Sequence, residues 1–169
     1  SDVVLIKTDM SGNEQWTKTF GGEYLDGGRS VHQTTDGGYI ITGYTNPTDG
    51  VDLSELYLIK TNESGDSQWT KTFGGEFDVY GHSVDQTSDG GFIICGIYER
   101  SYENLYITLP KLLLIKTDGI GNELWTKTFG EEYYSLVGNS VQQTNDEGYI
   151  ITGGTQYVGY ENNDFTDVY

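Results

Sequence analysis

The hexapeptide Trp-Thr-Lys-Thr-Phe-Gly occurs three times, beginning at Trp16, Trp69 and Trp125, and each copy stands in the same longer frame. The frame opens with Leu-Ile-Lys-Thr (from Leu5, Leu58 and Leu114), turns at a Gly, and runs through the Trp segment. After a variable stretch it continues with Ser-Val-x-Gln-Thr (from Ser30, Ser83 and Ser140) and closes on an apolar run, Tyr39 to Gly43, Phe92 to Gly96 and Tyr149 to Gly153. The Trp residues are 53 and 56 positions apart, longer than a solenoid rung and right for one four-stranded propeller blade.

Within each unit the pattern has period two. In Leu5-Ile6-Lys7-Thr8 and Gln15 to Phe20, β-branched and aromatic residues alternate with polar ones, which reads as half-buried antiparallel strands, and no segment reads as a helix. We label the strands A (Ser-Val-x-Gln-Thr), B (Tyr-Ile-Ile-Thr-Gly), C (Leu-Ile-Lys-Thr) and D (Trp-Thr-Lys-Thr-Phe). Tight turns join A to B, Asp36-Gly37-Gly38 and Asp89-Gly90-Gly91, and C to D, Asp9 to Asn13, Asn62 to Asp66 and Asp118 to Asn122. Gly supplies positive φ there, and Asp and Asn bond their own backbone.

The phase of the repeat shapes the expected architecture. The chain opens on C and D (1–20), runs through two ABCD units (29–73 and 82–129), and finishes with A and B (139–169), where Asp167-Val168-Tyr169 resembles the start of another C strand. The expectation is therefore an all-β, single-domain propeller or half-propeller over 1–169, built of four-stranded antiparallel blades. Three blade equivalents are present, with one blade split between the termini. Pairing the last AB with the first CD would cover both edges. Three blades fall below the usual range of about four to eight, whereas two chains exchanging CD and AB give a six-bladed homodimer and unclosed exchange gives a filament. A piece of a longer propeller is the competing expectation.

Taken together, Trp-x-Lys-Thr-Phe-Gly-Gly, Asp-Gly-Gly-Tyr-Ile-Ile-x-Gly and Leu-Ile-Lys-Thr-Asp resemble the β-propeller repeats found in tandem in secreted and cell-surface proteins of archaea and bacteria. The resemblance covers nearly the whole chain and implies the propeller fold and an extracellular or cell-surface setting. The spacing of Gly turn and Trp is also similar to the docking motif of quinoprotein-type propellers, but nothing matches their cofactor site. Function does not follow from the fold, since propellers host many activities.

Charge excludes one class of partner. Nine basic residues stand against 26 acidic ones, a formal charge of −17, so the basic footprint that nucleic-acid binding needs is missing. Six of the nine cations are the repeated Lys7, Lys60, Lys116, Lys18, Lys71 and Lys127, which belong to the frame. The longest aliphatic run, Leu112 to Ile115, is far too short to cross a membrane. Cys95 is the single cysteine; it replaces Thr42 and Thr152 of the other B strands and is expected to be a small buried side chain. Asn62-Glu63-Ser64 is a glycosylation sequon in a C–D turn, meaningful only after export.

Catalytic motifs are absent from the sequence. His32 aligns with Asp85 and Gln142, and His82 with Arg29 and Asn139, so neither imidazole recurs in a metal-ligand spacing. There is no Gly-x-Ser-x-Gly, P-loop or His-Glu-x-x-His. The Asp-rich turns superficially resemble Ca2+ loops, but they lack the EF-hand pattern and have a turn-forming explanation.

Strand alternation puts the near-invariant A–B and C–D turns on one face of the disc and the divergent D–A and B–C connections on the other. The D–A loops carry Tyr24 and Asp26, Asp78 and Tyr80, and Tyr133 and Tyr134. The B–C loops carry Tyr98 and Tyr102, and Tyr157 and Tyr160. Variable, aromatic-rich loops on one rigid face are how scaffolds present binding surfaces. The expected function is a non-enzymatic interaction propeller that self-assembles through its split blade and presents this tyrosine- and acid-rich face to a glycan or protein. The alternative is a carbohydrate- or calcium-dependent binding module, and a hydrolase using loop carboxylates is the third reading.

Overall fold

The computed structural model of the chain describes residues 1–46, 53–99, 101–102, 107–131 and 134–157. Fourteen strands and no helix occupy them. The expected all-β, antiparallel organisation is what the chain adopts. The strands are β1 (Val3–Thr8), β2 (Glu14–Phe20), β3 (Asp26–Gln33), β4 (Tyr39–Thr45), β5 (Glu55–Thr61), β6 (Ser67–Phe73) and β7 (Asp78–Gln86). They continue with β8 (Phe92–Glu99), the short β9 (Ser101–Tyr102) and β10 (Ile107–Thr108), then β11 (Lys111–Thr117), β12 (Glu123–Phe129), β13 (Tyr134–Gln143) and β14 (Tyr149–Tyr157).

Two four-stranded meanders, β3-β4-β5-β6 and β7-β8-β11-β12, are flanked by two separate hairpins, β1-β2 and β13-β14. Each meander is one ABCD unit; the hairpins are the leading CD and the trailing AB. Register repeats between units: Ile41 lies opposite Ile59 and Ile94 opposite Ile115. So do the irregularities. Every A strand bulges by one residue, at Arg29, His82 and Asn139, and every C–D pair slips after its Lys, at Lys7, Lys60 and Lys116. Bulges bend a strand and re-aim a side chain, which places three unlike residues at equivalent points of a repeated frame.

The strands are longer than the sequence pattern suggests. The B strands run past Gly43, Gly96 and Gly153, and the A strands begin upstream of Gly28, Gly81 and Gly138. Asp26, Asp78, Tyr80, Tyr98, Tyr102, Tyr134 and Tyr157, expected in loops, are therefore strand residues. Gly43 and Gly96, where the apolar runs of the sequence end, mark close approach: a Cβ on Gly43 would lie 1.8 Å from the Gly27 carbonyl oxygen, and one on Gly96 1.9 Å from that of Tyr80. Only Gly lets the backbones meet there.

The core lies between successive units, not within them. Ile40, Leu56 and Leu58 of the first meander pack with Val84, Phe92 and Ile115 of the second. Ile93, Cys95, Leu112 and Leu114 meet Val141 of the trailing hairpin, and Val3 and Leu5 of the leading hairpin meet Ile41 and Ile59. Each fully buried aliphatic side chain contributes about 1.5–3 kcal/mol. The three Trp residues are half-buried. They bridge units at equivalent places, with ring centroids 5.9 Å from Tyr39 (Trp16), 5.9 Å from Phe92 (Trp69) and 5.8 Å from Tyr149 (Trp125).

Lys60 and Lys116 are buried, and each ammonium is held by the A–B turn of its own meander. Lys60 Nζ lies 2.8 Å from Asp36 Oδ2, Lys116 Nζ lies 2.9 Å from Asp89 Oδ2, and each also donates at 2.8 Å to the carbonyl of the next Thr. The pairing holds both carboxyls at about 2, Asp36 through Lys60 first and Asp89 through the Thr87 hydroxyl and then Lys116.

Candidate functional site

The bulged residues gather a polar cluster that spans three units. Arg29 and His82 come from equivalent bulges of neighbouring units, and Arg29 Nη1 hydrogen-bonds His82 Nε2. His82 Nδ1 sits 2.9 Å from the carbonyl of Gly138 in the next unit. A carbonyl only accepts, so Nδ1 carries the proton and Nε2 accepts from Arg29. Burial first, then the Arg29 charge, pushes the His82 pKa down and keeps the ring in this neutral form, with the Gly138 carbonyl opposing.

Above His82, Arg29 lies against two rings, its Cζ 5.5 Å from the centroid of Tyr44 and 5.3 Å from that of Tyr80. Those rings touch edge to face at 5.6 Å. Such cation–π contacts hold a flexible guanidinium at about 0.5–1 kcal/mol each. The group borders a cavity of about 420 Å³ lined also by Asn46, Ser54, Ile97 and Glu99. Burial, and then the Asp78 charge, raises the Glu99 pKa, while Arg29 lowers it. The cavity wall is fixed by Ser54, whose amide donates to Asp78 Oδ1 at 2.7 Å and whose hydroxyl donates to Asn46 Oδ1 at 3.0 Å. The arrangement is a cleft with a fixed cation, two phenols and several acceptors. Its described residues can stack on a ring and exchange hydrogen bonds with a polar group.

Of the residues expected on the binding face, Tyr80 lines this cleft, while Asp78 supports its wall. Tyr98 packs as a half-buried ring against the inter-unit core and Phe77. Tyr134 and Tyr157 pack ring to ring, tilted by 59° at 5.3 Å, beside a separate cavity that Tyr134 lines, and Tyr24 is half-buried near Ser1, whose amino group reaches its carbonyl. Asp26 is buried where the other units have Val79 and Leu136; its Oδ2 accepts from the Gly22 amide at 2.9 Å, and among the described residues its Oδ1 has no hydrogen-bond partner. Tyr102 is described by its backbone only, and Tyr133 and Tyr160 lie outside the described residues, as does the Asp167-Val168-Tyr169 segment.

Tyr44 was expected on the tyrosine-rich face, whereas Arg29 and His82 were not expected at a site. Their signal was visible as the one position of the A strand at which the three units carry Arg, His and Asn. The turn aspartates are committed elsewhere. Asp9 Oδ1, for instance, accepts from the amides of Ser11 and Asn13 at 2.8 and 2.9 Å. Among the described residues no three of His, Cys, Asp and Glu group as metal ligands. Cys95 is fully buried, and burial pushes its thiol up to about 12, which makes it inert as a nucleophile at neutral pH. No helix among the described residues is long and apolar enough to cross a membrane. Compared with models of known protein families and with curated proteins, the chain matches none.

Proposed function

We propose that the chain is a non-enzymatic propeller component that works outside the cell, assembling by strand exchange of its split blade and presenting the Arg29–Tyr44–Tyr80 cleft to a partner. The observation that carries this reading is the pair of open edges. Among the described residues the two hairpins remain separate two-stranded sheets. Positions that are buried inside the meanders are exposed on them: Ile6 at 54% against 2% for Ile115, and Ile150 at 61% against 0% for Ile93. Unpaired strands with exposed aliphatic side chains invite another chain to pair. A six-bladed closed dimer is the smallest whole-chain ring inside the usual blade range.

The test is the mass in solution. Light scattering at micromolar concentration is expected to give twice 18.8 kDa for the closed dimer, or a growing species for a filament. A stable monomer overturns the reading. A second reading, a carbohydrate- or calcium-dependent binding module, is favoured by the cleft itself, where phenol faces and acceptors suit a sugar ring. A glycan array with and without chelator separates it from the first.

A further inference from the structure

Deepening the assembly just proposed, on which it rests, we infer that a second copy of this chain docks in one fixed register in which Lys7 of one copy enters the Asp146 turn of the other. In both meanders the C-strand Lys is buried under the A–B turn and paired with its Asp, Lys60 with Asp36 and Lys116 with Asp89. Lys7 is the third such Lys and Asp146 the third such Asp. Among the described residues neither has an ion pair. Asp146 keeps only the turn's own bonds, to the Thr144 hydroxyl and the Gly148 amide.

Among the described residues, no Lys ammonium and no Thr carbonyl stands against the third turn. A Cβ on Gly38 would lie 2.1 Å from the Thr61 carbonyl oxygen and 2.8 Å from Lys60 Nζ, and one on Gly91 2.2 Å from the Thr117 carbonyl oxygen and 2.6 Å from Lys116 Nζ. At Gly148 the nearest atoms belong to Thr144 and Asp146 of the same turn. The half-blade therefore has a seat for a C strand that ends in Lys-Thr, and β1 ends in Lys7-Thr8.

A second contact repeats in the same way. The ring of Trp16 covers Gly65 in the next C–D turn and Trp69 covers Gly121, with Cβ-to-ring approaches of 2.8 Å. Gly12, the third glycine of the set, has nothing within 4 Å, and among the described residues no turn glycine lies against Trp125. Likewise Lys18 reaches Asp66 at 2.7 Å and Lys71 reaches Asn122 at 3.2 Å, which leaves Lys127 for Asn13. The two ends of the chain thus carry the two halves of the joint that is made twice inside it. Copying the internal register sets Ile151 opposite Ile6 and Gly153 opposite Val4, as Ile94 lies opposite Ile115 and Gly96 opposite Leu113.

Only a chain carrying this repeat offers that combination, and a two-fold pair of copies makes the joint twice. Charge reversal tests it. Lys7→Glu and Asp146→Lys are each expected to weaken the dimer about a hundredfold or more, since a buried charge then faces its own sign. An equimolar mixture of the two variants is expected to recover wild-type mass, because each joint then joins opposite charges. In a Cys95→Ser background, Ile6→Cys with Ile151→Cys is expected to oxidise to a covalent dimer.

If wild-type protein is a monomer, the assembly reading fails with this one. If wild-type protein is a dimer but the single reversals stay equally tight, or their mixture does not recover, or the paired cysteines do not cross-link, the assembly stands and the Lys7–Asp146 joint is wrong.

Discussion

The buried ammoniums make the sharpest energetic prediction, because the two partners of each pair sit in different surroundings. The Lys116 side chain is 4% exposed and that of Asp89 is 58% exposed. Asp89→Ala strands a positive charge whose one remaining acceptor among the described residues is the Thr117 carbonyl at 2.8 Å. Breaking a wholly buried pair costs about 3–5 kcal/mol; water at the Asp end brings this to about 2. The Gly91 amide, which donates to Asp89 Oδ1 at 2.9 Å, also loses its acceptor, adding about 1 kcal/mol. The expected total is about 3 kcal/mol. Lys116→Met keeps the packing volume and leaves a solvated carboxylate, so its expected cost is under about 1 kcal/mol. Urea unfolding followed by circular dichroism reads both as midpoint shifts at constant slope. Equal costs for the two variants would refute the reasoning, because the liability would then not be the buried cation.

The same pair fixes the sign of the acid response. Asp89 falls from 3.8 to about 2 in the folded chain, so its contribution is complete above pH 3.8 and disappears as pH drops through 2. At 1.36 kcal/mol per unit this is about 2.4 kcal/mol, halved to about 1 for the exposure of the carboxylate. Asp36 behaves in the same way.

Two further outcomes follow from local geometry. Glu147 has φ 66° at the turn position where Gly37 and Gly90 have 83° and 82°, so Glu147→Gly is expected to relieve strain and stabilise by about 1 kcal/mol, raising the melting temperature by about 3 °C; a fall would show that the Glu side chain contributes more than the strain costs. Trp69→Ala removes a half-buried ring that packs on Phe92 and covers Gly121, with an expected cost of about 2–3 kcal/mol, below the 3–5 typical of large aromatics. An unchanged melting temperature would place the ring outside the packing.

Much of this was determined by the sequence by itself. A period of two within units and a period near 53 between them dictate short antiparallel strands in repeated meanders, because both signals come from local backbone preference and from which face is apolar. The tight turns were equally legible: Gly12, Gly37, Gly65, Gly90 and Gly121 all adopt positive φ. Only the tertiary structure decided the rest. Gly43 and Gly96 looked like strand ends, but they are sites where two backbones touch, and nothing local distinguishes the two uses. Lys60 and Lys116 read only as members of the repeated frame; that they are buried follows from tertiary structure, since the Asp that neutralises each lies 24 and 27 positions away. Arg29 and His82, 53 positions apart, meet because equivalent bulges of adjacent units are stacked, a relation that exists only once units pack. The unmatched Lys7 and Asp146 take their meaning from the same source: a missing partner can be recognised only where the structure shows what its equivalents hold.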